Sequence, residues 1–221
     1  MMDFDRKNRL GTESAEIMTV SLAAAGPAAG LTEIKTELVR KSIHLLIALS
    51  PALAAINYPL TVLALMTGVL GYTAMELLRL LGVKVPLVSA ITGMASRPRD
   101  MGRFVLGPVT LGFGALLALL LFPPPAAVIG IYALAFGDGF AGVAGKLFGR
   151  LRPAFLCGKS AEGSLACFSA TFFSAWLVSR HYGVSLAAAL TAAVVEALPL
   201  EDYDNIVLPV AVGAVVQMVL R

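Results

Sequence analysis

An all-α helical bundle embedded in a membrane is the fold class this sequence predicts, and three observations predict it. Of 221 residues, 58% are hydrophobic and only 14% charged, against about 45–50% and about 25% in soluble domains. The mean hydropathy is +0.84. The apolar residues also come in long runs, as spanning helices of about 20 mostly apolar residues require. A soluble fold of this size has nowhere to hide so much apolar surface, whereas lipid accepts it without a polar coat. Strands are not expected, because an open sheet edge cannot face lipid and a barrel would alternate in hydrophobicity.

Seven segments come near spanning length, at 42–57, 60–81, 104–122, 125–147, 164–181, 185–199 and 205–220. Pro59, Pro123 to Pro125 and Gly183 punctuate the turns. Residues 37–221 therefore read as one membrane-embedded domain. Residues 1–36 differ, with a polar start (Asp3, Asp5, Arg6, Lys7, Arg9) and a weakly apolar run from Ile17 to Leu31. That pattern mimics a secretory signal. Glu13, Glu16 and the Gly26-Pro27 break argue against one, so an interfacial helix or a disordered extension is expected.

Charge placement gives an orientation. Basic residues collect at Lys35, Arg40 and Lys41, at Arg79, Lys84, Arg97, Arg99 and Arg103, and at Lys146, Arg150, Arg152 and Lys159. Two crossings separate each cluster from the next, so all three fall on one side, which the positive-inside rule makes cytoplasmic. The N-terminus and the acidic loop at Glu201-Asp202-Tyr203-Asp204-Asn205 fall there too. An integral protein of the inner, cytoplasmic membrane or its equivalent is expected, with its working face toward the cytoplasm. The net charge of +3 is modest, and no basic patch interleaves with aromatics, so nucleic acid is not an expected partner. Cys157 and Cys167 lack metal-ligand spacing and read as ordinary thiols.

Charges inside a bilayer are costly and mark function. The sharpest case is Asp138, in a run from Phe136 to Arg150 where Asp138, Ala141, Gly142, Gly145 and Gly149 share one helical face. Small residues are a common helix interface, which explains the glycines but not the aspartate. Asp138 is thus a candidate for a metal or nucleotide, with Lys146 beside it. Next, Gly158-Lys159-Ser160-Ala161-Glu162-Gly163-Ser164 opens a helix. A lysine, hydroxyls and backbone N–H groups at a helix start suit an anion. Bland capping by Ser160 with Glu162 competes, and the spacing is not that of a Walker motif.

Glu196 closes an Ala-rich helix, and Asp204-Asn205 opens the last one. Arg97, Arg99 and Arg103 cluster ahead of Gly107-Pro108, and guanidinium forks suit phosphate oxygens. A local ion pair accounts for Glu76 and Arg79. Arg40 and His44 share a face at the interface, where a hydrogen-bonded histidine is the plain reading, and His181 is given no role. Together these residues put carboxylates for a divalent cation and cations for phosphate on one membrane face, as phosphoryl transfer demands.

The run from Gly137-Asp138 through Gly145-Lys146 to Gly149-Arg150, then Gly158-Lys159-Ser160-x-Glu162-Gly163-Ser164, Glu196 and Asp204-Asn205 with Pro209 resembles the dolichol, phytol and farnesol kinase family of polyprenol kinases. Arg40-Lys41-x-x-His44 and Arg103 with Gly107-Pro108 match its N-terminal half, and the resemblance covers about residues 38–215. It implies CTP as phosphoryl donor, Mg²⁺ as the divalent cation and a membrane-dissolved alcohol as acceptor, yielding the lipid monophosphate and CDP. Asp138, helped by Asp204, Asn205 or Glu196, would then hold the metal. Lys146, Lys159, Ser160, Arg99, Arg103, Gly142, Gly145 and Gly163 would surround the nucleotide, and Glu196 or Glu162 would take the hydroxyl proton. An oligomer is compatible with this reading. CTP-dependent diacylglycerol kinases look similar, and phosphatidate cytidylyltransferases share two of the elements. The latter also carry a C-terminal histidine signature, whereas this chain has no histidine after His181. A transporter is the non-enzymatic alternative, disfavoured by the nearly uncharged outer side.

Overall fold

The structure is a computed structural model that describes residues 27–86, 89, 92 and 102–221, with backbone alone for 27–35 and Phe155. Residues 1–26, Arg97 and Arg99 lie outside the described residues. Thr36–Arg221 form one compact unit, separate from Met1–Lys35. Helices make up that larger unit, and no strand occurs among the described residues.

The helices are α1 (Pro27–Ile47), α2 (Ser50–Ile56), α3 (Tyr58–Leu80), α4 (Gly107–Leu121), α5 (Ala126–Tyr132), α6 (Gly139–Leu147), α7 (Ala161–Ser179), α8 (Tyr182–Ala197) and α9 (Asp204–Val219). A π-helical turn, Ala133–Asp138, joins α5 to α6 in one continuous rod. Four stretches are long and apolar enough to cross a membrane: Thr36–Ile56, Tyr58–Leu80, Ala126–Leu147 and Ala161–Ser179. Helices α4, α8 and α9 have 15, 16 and 16 residues. At 1.5 Å per residue they reach about 22–24 Å, short of a hydrocarbon core of about 30 Å.

Local chemistry sets the boundaries. Pro51, Pro59 and Pro108 occupy first-turn positions of α2, α3 and α4, where a missing N–H costs nothing. Asn57 Oδ1 accepts from Leu60 N at 3.0 Å and starts α3. Ser160 Oγ accepts from Gly163 N at 3.1 Å and starts α7. His181 Nδ1 accepts from Val184 N at 3.3 Å, which gives that histidine a capping task. Asp204 does not cap α9 through its side chain; it lies in the first turn, where the helix dipole favours an acid.

The α5–π–α6 rod is the centre of the bundle: 67% of its most apolar window is buried, against 11% for α3. Ile129, Ile131, Ala133 and Leu134 are fully buried there. Small residues allow close packing. Ala188, Ala189 and Ala192 of α8 are fully buried, and a Cβ on Gly130 would meet the Pro209 carbonyl of α9 at 2.5 Å. Helix α3 is peripheral, tied to the start of α4 by Glu76. That carboxylate is fully buried, takes two bonds from Arg79 at 2.7 and 2.8 Å, and accepts from Val105 N at 2.9 Å. The expected Glu76–Arg79 pair is therefore present and joins two elements.

Candidate functional site

The site begins with α1. Its helix starts well before residue 42, so Glu37, Arg40, Lys41 and His44 stand on the helix instead of flanking it. Their spacing puts them on one face. Glu37, Lys41 and His44 are buried, at 5%, 5% and 4% exposure. A buried charge needs a partner: Glu37 and Lys41 each have one across the bundle, and the His44 ring lies against a carboxylate there.

Asp138, the last residue of the π turn, is 8% exposed. Its Oδ2 lies 2.6 Å from Lys41 Nζ and 3.0 Å from His44 Nδ1. One turn on, Gly142 makes room for this pair, since a Cβ there would meet Lys41 Cε at 2.5 Å and Glu37 Oε1 at 2.8 Å. Glu37 in turn binds Lys146 at 3.0 Å and Arg40 at 3.0 Å, with Lys41 at 3.9 Å. Thus α1 and α6 are cross-linked by charge along the strip that the small residues leave open. π turns recur at functional positions because they re-aim side chains within a helix; here the turn ends on the aspartate.

The loop into α7 forms the second wall. Gly158 has φ +87°, a conformation that suits glycine. Arg152 donates to its carbonyl at 2.6 Å. A Cβ on Gly145 would lie 3.0 Å from Ser160 Oγ, and one on Gly163 would lie 3.0 Å from the Ala141 carbonyl. These glycines therefore seat the loop against α6. Lys159 reaches α8, donating to the Glu196 carbonyl and lying 3.4 Å from its Oε1. Ser164 Oγ donates to Glu196 Oε2 at 2.9 Å.

Between these walls lies a cavity of about 430 Å³. Five carboxylates border it (Glu37, Asp138, Glu196, Glu201, Asp204), and so do five cations (Arg40, Lys41, Lys146, Arg152, Lys159). Gly142, Gly145, Gly158, Ser160 and Gly163 expose backbone or a hydroxyl to it. A space with both signs of charge and bare backbone can hold a polyanion together with a cation.

Of the residues singled out in the sequence, Asp138, Glu196, Asp204, Lys146, Lys159, Ser160, Gly142, Gly145 and Gly163 meet at this cavity. Three others do not border it. Glu162 accepts from the backbone N–H groups of Arg150 and Leu151 at 3.0 and 3.2 Å. Asn205, 2% exposed, donates to Thr110 Oγ1 at 2.9 Å and so links α9 to α4. Arg103 is exposed, and its carbonyl accepts from Arg79 at 2.9 Å. Arg99 lies outside the described residues. Glu37 and Lys41 are site residues that the sequence does not single out, and His44 is one it marks only as hydrogen-bonded. The available signal was their helical spacing: a charged stripe running into an apolar segment.

No protein-family model matches the chain, and no solved structure matches it. A probable chloroplastic phytol kinase of Triticum aestivum is 30% identical over 140 residues, covering 55% of this chain and 47% of that protein. The chain thus spans about half the length of this relative.

Proposed function

We propose that this chain is a membrane kinase that transfers the γ-phosphoryl group of CTP to the hydroxyl of a lipid alcohol such as a polyprenol, dolichol or phytol. The observation that carries the reading is the cavity in which Asp138, Asp204 and Glu196 face Lys41, Lys146 and Lys159. The likeness to a phytol kinase supports the reaction class, and the resemblance of the Asp138 and Lys159 segments to polyprenol kinases supports CTP. The alcohol oxygen bonds to the γ-phosphorus while the β,γ-bridging P–O bond breaks. CDP keeps that electron pair, and the hydroxyl proton leaves through a cavity carboxylate, with Glu196 the candidate.

The donor set suits Mg²⁺. Among the described residues no three His, Cys, Asp or Glu side chains gather closely enough to hold an ion by themselves. Mg²⁺ in kinases is held by one or two carboxylates with the substrate phosphates completing its shell. Asp138 and Asp204 would supply that pair; Lys41 and His44 both approach Asp138 on Oδ2, and Oδ1 would serve the ion. When bound, the ion would neutralise phosphate charge. Lys146, Lys159 and Arg40 would grip phosphate oxygens, and the glycines let the triphosphate approach the backbone.

In the membrane the four long apolar stretches and the three shorter helices α4, α8 and α9 would form seven spans, with the N-terminus and the cavity on the cytoplasmic side. The bilayer would deliver the acceptor sideways. The test uses purified protein, labelled CTP against ATP, and a panel of lipid alcohols with Mg²⁺. Lipid monophosphate and CDP are the expected products. Pyrophosphate release would point to a cytidylyltransferase, and phosphate transfer confined to diacylglycerol would point to a diacylglycerol kinase.

A further inference from the structure

A transferase of two substrates needs two approaches to one reacting centre. The polar cavity is one approach. A second, much smaller slot of about 30 Å³ lies on another side of the same charge cluster, lined by Arg40, Ile43, His44, Tyr72, Val105 and Leu111 among others. Arg40 borders both spaces. His44 lines the slot and lies 3.0 Å from Asp138, which lines the cavity. The two spaces therefore share Arg40, stand on either side of the His44–Asp138 contact, and differ in character. The cavity carries ten charged side chains, whereas the slot sets Ile43, Val105, Pro108 and Leu111 beside the polar groups of Arg40, His44, Tyr72, Thr92 and Asp202, a mixed lining that suits an alcohol head on a hydrocarbon tail.

Its size is equally telling. A single water position needs about 10–15 Å³ of such volume, so the slot holds about two water-sized groups. That is the room of a terminal CH₂–OH group. Beyond the slot, one turn further along α1, Leu46 and Ile47 begin a wide apolar groove of about 430 Å³ continued by Leu53, Leu60 and Leu65. From His44 to Ile56 the α1–α2 axis covers about 18 Å at 1.5 Å per residue, close to one leaflet of about 15 Å.

We infer that the slot between α1, α3 and α4 is the acceptor site: it takes the hydroxyl end of a single-chain primary alcohol, whose tail lies in the α1–α3 groove. This rests on the lipid-alcohol kinase reading above. An alcohol seated here lies one side chain, His44, away from Asp138, so acceptor and nucleotide approach the same carboxylate by separate routes, as positioning for phosphoryl transfer requires. The narrow slot also favours one chain over the forked glycerol of a diacylglycerol. Tyr72, whose hydroxyl lies 3.5 Å from Thr92 Oγ1, forms part of the wall that sets this width.

The experiment uses the purified full chain in lipid vesicles with CTP, Mg²⁺ and either phytol or dioleoylglycerol. Ile43→Trp fills the slot and is expected to raise the KM for phytol at least tenfold with the KM for CTP within twofold. Tyr72→Ala widens it and is expected to shift use toward dioleoylglycerol several-fold. A third measurement needs no variant: a phytol analogue with a diazirine beside the hydroxyl should label peptides containing residues 43–47 or 72. Variants with an unchanged phytol KM and unchanged alcohol preference overturn the slot, as does labelling confined to other helices. A wild-type protein that transfers phosphate from CTP to no alcohol overturns the kinase reading itself, a result distinct from an active enzyme indifferent to Ile43→Trp.

Discussion

Asp138 is the residue on which the proposed chemistry turns. A carboxylate held at 8% exposure inside an apolar rod is expensive unless it is paired, and Lys41 at 2.6 Å supplies the pairing. Asp138→Asn keeps the shape, removes the charge and should reduce turnover below detection while the protein still inserts and purifies. A near wild-type rate of lipid-alcohol phosphorylation in that variant would refute the metal role. Lys159 and Arg103 separate cleanly. Lys159 borders the cavity and Arg103 does not. Loss of one charge-assisted hydrogen bond costs about 1.5–3 kcal/mol, so Lys159→Ala should raise the KM for CTP roughly tenfold to a hundredfold. Arg103→Ala should change it by no more than about twofold, as an exposed substitution does. Initial-rate titrations of CTP read both. Asp138, Lys159 and Glu196 were legible because a charge in an apolar stretch, or at a helix start, stands out in one dimension. Glu37 and Lys41 were not, because a segment beginning at 42 leaves them as ordinary flanking charges. The i, i+4, i+7 spacing of Glu37, Lys41 and His44 is the pattern that identifies them.

Elements carry a second set of constraints. The rod from α5 to α6 owes its central place to residues that permit contact: Gly130 against Pro209, Gly142 against Lys41, Gly163 against the Ala141 carbonyl. Gly163→Ala would set a methyl 3.0 Å from that carbonyl. Overpacking of this kind costs about 1–3 kcal/mol, and the loss should appear as a lowered thermal midpoint in detergent. Glu76→Gln tests a different joint. It would weaken the paired bonds from Arg79 and the bond from Val105 N. About 1–3 kcal/mol is expected, seen as earlier unfolding in a denaturing-detergent titration with the CTP KM unaltered. Helix ends were close to their expected places, 161–179 against 164–181 and 204–219 against 205–220, since caps and prolines are local signals. The π turn at Ala133–Asp138 had no local signal.

For the whole molecule, the proposed orientation makes Cys157 a reporter. It is exposed and borders the cavity, whereas Cys167 is fully buried. A membrane-impermeant maleimide should label Cys157 in inverted vesicles and not in right-side-out ones, and CTP should slow the labelling. Equal labelling from the opposite side would reverse the topology.

Composition and the length of the apolar runs by themselves determined that this chain is helical and apolar enough to span a membrane, because so much apolar surface has no cover in a fold of this size and a bilayer demands internally bonded backbone. Single residues also announced half of the charges at the cavity, Asp138, Glu196, Asp204, Lys146 and Lys159. What only the tertiary structure decided is which charges meet. The pairing of α1 with α6, Glu37 to Lys146 and Lys41 to Asp138, joins residues about a hundred positions apart. Nothing local encodes that pairing; it follows from the low dielectric of the interior, where each buried charge must find its opposite.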